Sequence, residues 1–476
     1  MRIISIFLLT WMVSFGTFFC QADELEDLLT GFGDESTIVV EEDAGELDEL
    51  LGGFDDTPGQ QEANVRDTPL LPPWLELQGS LTLQVAAGFA HDTPEEDTPD
   101  YRGLSMLRTR GELIGDITLS TWQARVATRG FYDAAYSLGH RSDYTHKLLG
   151  EYEQELEITE AWIQTALVDS LDFKTGRQIV VWGKSDNLRI TDILNPLDMR
   201  QPGMLDIRDL RLPMAMSKLD YYTGNWNISA MVIHEPRFNK IPVYNGEFYP
   251  GNSAAPHTDE PSANMENQQF AAALNGVFSG WDLSLYTAFV FDNQPHVEAT
   301  DTSSGLVRQY SRIKMGGISA DLALGNWLFK TEAAFLDGLN FFNVPEKDFS
   351  RLDFLLGLEY SGFTETSISI ELANRHLFDF DSRLKALPDG QMKNLFQSAL
   401  RVNRDFMHDT LHLTLLLSSY GVLGEDGAFQ RYQVEYDLRD NIMVKGGVVF
   451  YQSGEVLAFQ NIGDNDRLFF ELEYRF

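Results

Sequence analysis

The chain has 476 residues, 72 acidic against 36 basic, a formal charge of −36, 43% hydrophobic and 12% aromatic residues, and a single cysteine. That balance argues against DNA or RNA as a partner, because a nucleic-acid surface calls for a basic stripe that displaces counterions. So high an aromatic content also excludes a wholly disordered chain, and the lone Cys20 leaves no disulfide framework.

Met1-Arg2, the apolar run from Ile3 to Phe19 and the small residue Ala22 read as a secretory signal peptide over residues 1–22. A retained membrane anchor and a lipoprotein acylated at Cys20 are the alternatives. Against them stand the acidic stretch that begins at Asp23 without flanking positive charge, and the bulk of Phe19 where a lipoprotein signal wants a small residue. Residues 23–72 then form an acidic periplasmic arm expected to be disordered, with sixteen Asp or Glu against one Arg between Asp23 and Leu71. Within it Glu24-Leu25-Glu26-Asp27-Leu28-Leu29-Thr30-Gly31-Phe32 returns 22 residues later as Glu46-Leu47-Asp48-Glu49-Leu50-Leu51-Gly52-Gly53-Phe54. Leucines at i, i+3 and i+4 lay one apolar stripe on a helix too short to stand alone in water. The repeat is either a bias of composition or a pair of docking motifs offering Leu28, Leu29, Phe32, Leu50, Leu51 and Phe54 to a partner, two linked copies raising avidity.

From residue 73 the pattern has period two. Leu75, Leu77, Leu81, Leu83, Val85, Ala87 and Phe89 fall on one face and Glu76, Gln78, Ser80, Thr82 and Gln84 on the other, and the last segment alternates in the same way from Arg467 to Phe476. Short hairpin connections fall near Ile114-Gly115-Asp116, Asp169-Ser170, Gly224, Gly280, Gly325, Gly362, 405–408 and Asp440, and mostly longer ones separate them. Eight short turns and nine longer loops require eighteen antiparallel strands with both ends on the short-turn side. Poor alternation near 151–183 and 216–234 leaves sixteen as the other count. The expectation is an all-β fold, a transmembrane antiparallel β-barrel over residues 73–476, with lipid outside and a polar lumen. An aromatic C-terminal residue, Phe476, fits the signal by which such barrels engage their assembly machinery.

The most distinctive stretch is Gly176-Arg177-Gln178-Ile179-Val180-Val181-Trp182-Gly183-Lys184, followed by Asn195-Pro196-Leu197-Asp198 and Arg211-Leu212-Pro213-Met214. In this pairing of a G-R-Q-x-x-x-W-G strand end with an N-P-x-D loop, the chain from about residue 74 resembles the domain-of-unknown-function 1302 family of proteobacterial (Gram-negative) outer-membrane proteins. The resemblance implies a large outer-membrane barrel, traffic in hydrophobic or lipid-like compounds, and an inner-membrane exporter of the resistance-nodulation-division type as a companion. It names no substrate.

Read from the residues, the segment 184–216 interleaves Lys184, Arg189, Arg200, Arg208 and Arg211 with Asp186, Asp192, Asp198, Asp206 and Asp209 among apolar residues. Either it is a solvated outer loop, or it folds inward and narrows the bore. In the second case the pore residues are Arg177, Gln178, Trp182, Lys184, Asp186, Arg189, Asp192, Asn195, Asp198, Arg200 and Arg211. No nucleophile elbow, zinc-protease helix or phosphate loop occurs, so no enzyme activity, cofactor or metal is assigned. Acidic loops such as 92–97 and 464–466 read as solvated, with Ca²⁺ or lipopolysaccharide phosphates as the alternative ligands. The functional expectation is a channel or transporter for a small hydrophobic or lipid-like compound, coupled through the arm to an exporter or periplasmic carrier. The alternatives are a general diffusion porin and a structural or adhesive barrel.

Overall fold

The computed structural model describes residues 71–94, 98–139, 141–251, 253–300 and 305–476. The expected signal peptide (1–22), the arm as far as residue 70, and the repeat residues Leu28, Leu29, Phe32, Leu50, Leu51 and Phe54 lie outside the described residues.

The strands are, in chain order, β1 (Leu75–Gly88), β2 (Gly103–Thr118), β3 (Trp122–Asp133), β4 (Gln154–Val168), β5 (Leu171–Gln178), β6 (Met214–Thr223), β7 (Trp226–Ile233), β8 (His257–Thr258), β9 (Gln269–Phe278), β10 (Trp281–Phe291), β11 (His296–Ala299), β12 (Leu306–Gln309), β13 (Arg312–Leu324), β14 (Trp327–Leu339), β15 (Phe349–Phe363), β16 (Thr366–Leu377), β17 (Asn394–Phe406), β18 (Leu411–Tyr420), β19 (Gly427–Arg439), β20 (Ile442–Gln452) and β21 (Arg467–Arg475). Among the described residues, the short β8, β11 and β12 pair with each other in the outer loops, and the other eighteen form one sheet. Each of these eighteen runs antiparallel to its neighbours, and β1 pairs with both β2 and β21, so the sheet closes on itself. At the seam Phe476 and Gly79 exchange backbone hydrogen bonds of 2.9 and 3.0 Å, and the Phe476 ring occupies the space a Gly79 side chain would need.

The strand count and the placement of both ends match the turn arithmetic. One turn differs: β2 runs through Gly115, which pairs with Leu77 and Val126, and the chain reverses at 119–121 instead of at 114–116. A glycine inside a strand is not by itself a turn, and here the alternation on both sides of it carries the ladder through.

Outside, alternate residues such as Leu81, Leu83, Val126, Ile228, Leu285, Phe329, Phe354, Leu372 and Leu472 are exposed. In water this apolar band would be untenable; in a bilayer it is the lipid face. Aromatic residues gather at the short-turn end, where Phe278 stacks on Trp281 and meets Trp226 edge to face, and Trp327 packs at a tilt against Tyr360. A second set, including Phe89 with Phe450 and Phe335 with Phe378, lies nearer the long loops. Two aromatic belts, short turns at one end and long loops at the other are the anatomy of an outer-membrane barrel. Toward the short-turn end the inward face is charged, with Arg125 on Asp116 (2.7 Å), Lys218 on Asp220 (3.0 Å) and Lys445 on Glu471 (2.8 Å).

Candidate functional site

Eighteen strands enclose a bore too wide for wall side chains to fill. Yet Met214, Met216, Ile233, Met315, Glu332 and Glu371 on the inner wall are buried, so another part of the chain covers them. The cover is the segment between β5 and β6, residues 179–213.

The segment is first folded upon itself. Gly176 has φ of +121°, and a Cβ there would sit 2.2 Å from the Ala161 carbonyl oxygen, so only glycine lets β5 turn at that point. Buried Gln178 donates to the Met216 carbonyl at 3.2 Å. Asn195 staples the two arms of the loop: its Oδ1 accepts from Val180 N–H (2.9 Å) and its Nδ2 donates to the Leu212 carbonyl (2.8 Å). Asp192, almost fully buried, receives Arg211 at 2.8 Å and Arg189 at 3.2 Å, and Arg189 also donates to the Asn195 carbonyl at 2.7 Å. Asp198 takes Arg200 through both oxygens, and Arg200 reaches Glu155 on β4 at 2.8 Å. Burial opposes the charge on Asp198, but the Arg200 guanidinium prevails and holds its carboxyl below the usual range.

The folded loop then grips the wall. Trp182 stacks on Tyr286 of β10 with ring centroids 4.8 Å apart. Glu332 on β14 accepts the N–H groups of Lys184, Ser185 and Thr191 and the Thr191 hydroxyl, at 2.5 to 3.1 Å. Glu371 on β16 accepts those of Asp186, Asn187 and Leu188 and the Ser185 hydroxyl, at 2.6 to 3.1 Å. Lys184 itself lies between Asp282 and Asp321, and Asp186 pairs with Lys330. Val180, Leu188, Ile190 and Leu194 complete an apolar core with Met214, Met216, Met231, Ile233 and Met315. Farther on, Pro202 accepts from Tyr451 of β20 at 2.7 Å, and Asp206 binds Arg401 of β17 and Arg431 of β19. With anchors on β10, β14, β16, β17, β19 and β20, the segment lies across the bore.

Burial works against ionising Asp206, yet Arg431 and Arg401 outweigh it and hold its carboxyl down at about 2. Its pKa is thus depressed from the ordinary ~3.9, so this anchor acts in full above that value and is lost only as pH falls through the folded value. Channel recordings taken down to about pH 3 are expected to show this end of the loop still seated; release on reaching about pH 4 would contradict the assignment.

Of the residues expected at the constriction, Gln178, Trp182, Lys184, Asp186, Arg189, Asp192, Asn195, Asp198, Arg200 and Arg211 are brought together in or beside this loop. Arg177 is not. It pairs in register with Ala161 and Ala215 on the outer face of the wall and binds Glu235, because the inward position at the strand end belongs to Gln178. The wall partners Tyr286, Glu332, Glu371, Arg401, Arg431 and Tyr451 were not among the expected residues. The signal for Glu332 was there, since Lys330, Glu332, Ala334 and Leu336 hold the inward positions of one strand. Among the described residues no group of three or more His, Cys, Asp or Glu could hold a metal ion.

The structure is similar to that of Pseudomonas aeruginosa OccK1 (OpdK), at 10% sequence identity over 84% of this chain and 98% of that one, with a TM-score of 0.48. It is similar also to Acinetobacter baumannii OccAB1 (10%, 84% and 96%, TM-score 0.49) and to a BenF-like porin from Pseudomonas fluorescens Pf-5 (9%, 85% and 97%, TM-score 0.49). No curated protein matches the sequence. Residues 90–476 match the family described as protein of unknown function, DUF1302. The chain belongs to that family.

Proposed function

We propose that the protein is a gated outer-membrane channel for a small hydrophobic or lipid-like compound, in which segment 179–213 is the gate. The observation that carries this reading is the seating of the loop on two buried wall carboxylates. Glu332 and Glu371 hold it through backbone amides, which water can replace once the loop lifts away. The Met214, Met216, Met231 and Met315 patch beneath supports an apolar cargo, because unbranched thioether side chains repack around varied shapes. In planar bilayers the purified protein is expected to be closed most of the time, with brief openings. A large, steady, weakly selective conductance would overturn the gate and favour a general diffusion porin.

Outer-membrane lipid and lipopolysaccharide would surround the wall, and Phe476 would present the chain to the barrel assembly machinery. The arm would recruit an inner-membrane exporter or periplasmic carrier. Deleting residues 23–72 is expected to leave the heat-modifiable barrel intact and to abolish co-purification with that partner. Undiminished co-purification would end the docking idea.

A further inference from the structure

Strands β4 and β5 part before either has finished. Their ladder runs from Val168–Leu171 to Ala161–Arg177 and stops there, while β4 continues to Gln154 with only β3 beside it. The Gln154–Glu160 edge therefore faces no strand, although a closed barrel is meant to leave none. An edge left open at membrane depth is costly unless something meets its polar groups. Here Arg177 donates to the Ile158 carbonyl of the edge (3.4 Å), and the carboxylates that the edge residues carry are tied to the chain behind it: Arg237 binds Glu157, and Lys240 binds Glu155 (2.6 Å) and Glu157 (3.3 Å).

The breach is hollow. A cavity of about 510 Å³ is lined by Leu156, Ile158 and Ala161 of the outer face together with Glu157, whose partners lie inside, and Arg177. Leu156 is 84% exposed. Just below, the lipid side of the wall carries polar groups. Thr175, Ser217 and His234 form a chain of hydrogen bonds, each 2.9 Å, beside the Arg177–Glu235 ion pair. Polar and charged side chains on the lipid face of a barrel are expensive and mark a functional path.

We infer that the breach between β4 and β5 is a side entrance through which a single-chain amphiphile of the surrounding leaflet reaches the lumen. Its acyl chain lies along Leu156 and Ile158, and its head rests on the charge-balanced Arg177–Glu235 pair. This rests on the channel reading but adds a lateral route to it.

The test uses a lysophosphatidylcholine with a photoreactive diazirine on its chain, and the full-length protein in vesicles. Cys20 is the native cysteine; with it changed to serine, Glu157→Cys and Arg237→Cys can be bridged by a reducible bifunctional thiosulfonate. Residues 237–240, behind the breach, are expected to be labelled in the native protein. Labelling should fall at least five-fold in the bridged variant and return on reduction, while Leu285 on the open lipid face labels equally throughout. Arg237→Ala with Lys240→Ala, which removes the ties without bridging, should raise labelling of the same segment. Labelling confined to the outer face, or indifferent to the bridge, overturns the entrance. Single-channel conductance of the same preparations reads the channel separately: conductance without bridge-sensitive labelling removes only the entrance, and the reverse removes only the channel.

Discussion

Replacing Glu332 and Glu371 together by alanine is expected to raise the open fraction of the channel about a hundred-fold. Hydrogen bonds to a charged acceptor contribute roughly 1.5–3 kcal/mol each, and amides left buried without partners cost a similar amount. The two carboxylates between them serve six loop N–H groups and two hydroxyls. Losing them makes the hydrated, lifted loop the better state. Even about 3 kcal/mol of the total, counted as a shift of the gate, is two powers of ten in its equilibrium. The measurement is single-channel recording, with heat-modifiable migration to confirm an assembled barrel. Glu332→Gln, which keeps size and one acceptor oxygen but loses the charge, should fall between native and alanine. An assembled double variant with native conductance would mean that the carboxylates do not seat the gate.

The second large effect concerns stability. Glu247, in the loop after β7, pairs with Arg467 at the outer end of β21 and accepts from His91 at 2.9 Å. Arg467 is 0% exposed, and its guanidinium lies 4.6 Å over the ring of Phe248. Although burial opposes it, the pairing holds the Glu247 carboxyl below its ordinary range. Glu247→Ala strands a buried cation, a loss of about 3–5 kcal/mol. It should lower the denaturant midpoint of the folded barrel and detach the loop, exposing Phe248 to proteolysis. Changing Arg467 to leucine as well should recover most of the loss, since removing both partners leaves nothing uncompensated. A double variant as unstable as the single one would show that the arginine was not the cause.

The architecture was legible because turns and period-two strands are local features. The stretches where alternation failed have structural reasons. In β4 the register slips at Thr159, and β5 turns at Gly176. In β6 and β7 the inward residues Met214, Met216, Met231 and Ile233 are as apolar as the outward ones, since they pack under the loop and not against water. Such strands are apolar on both faces and lose their alternation. The inner contacts were less legible. Asn195 and Asp198 stood out by their spacing, but Glu332 lies more than 140 residues from the amides it holds (148 from Lys184). Only the ladder register brings them together. Arg177 looked like its neighbours in sequence and ended on the opposite face through the same parity that placed Gln178 inside.

The order in which the gate's sockets are synthesised limits how the protein can mature. Residues 179–213 are made before Glu332, Glu371, Arg401, Arg431 and Tyr451. The insert is therefore a guest that arrives before its room is built, and its charges must stay hydrated until the later strands curl round. Biogenesis ends twice, once when Phe476 meets Gly79 and once when the waiting segment finds its last anchor.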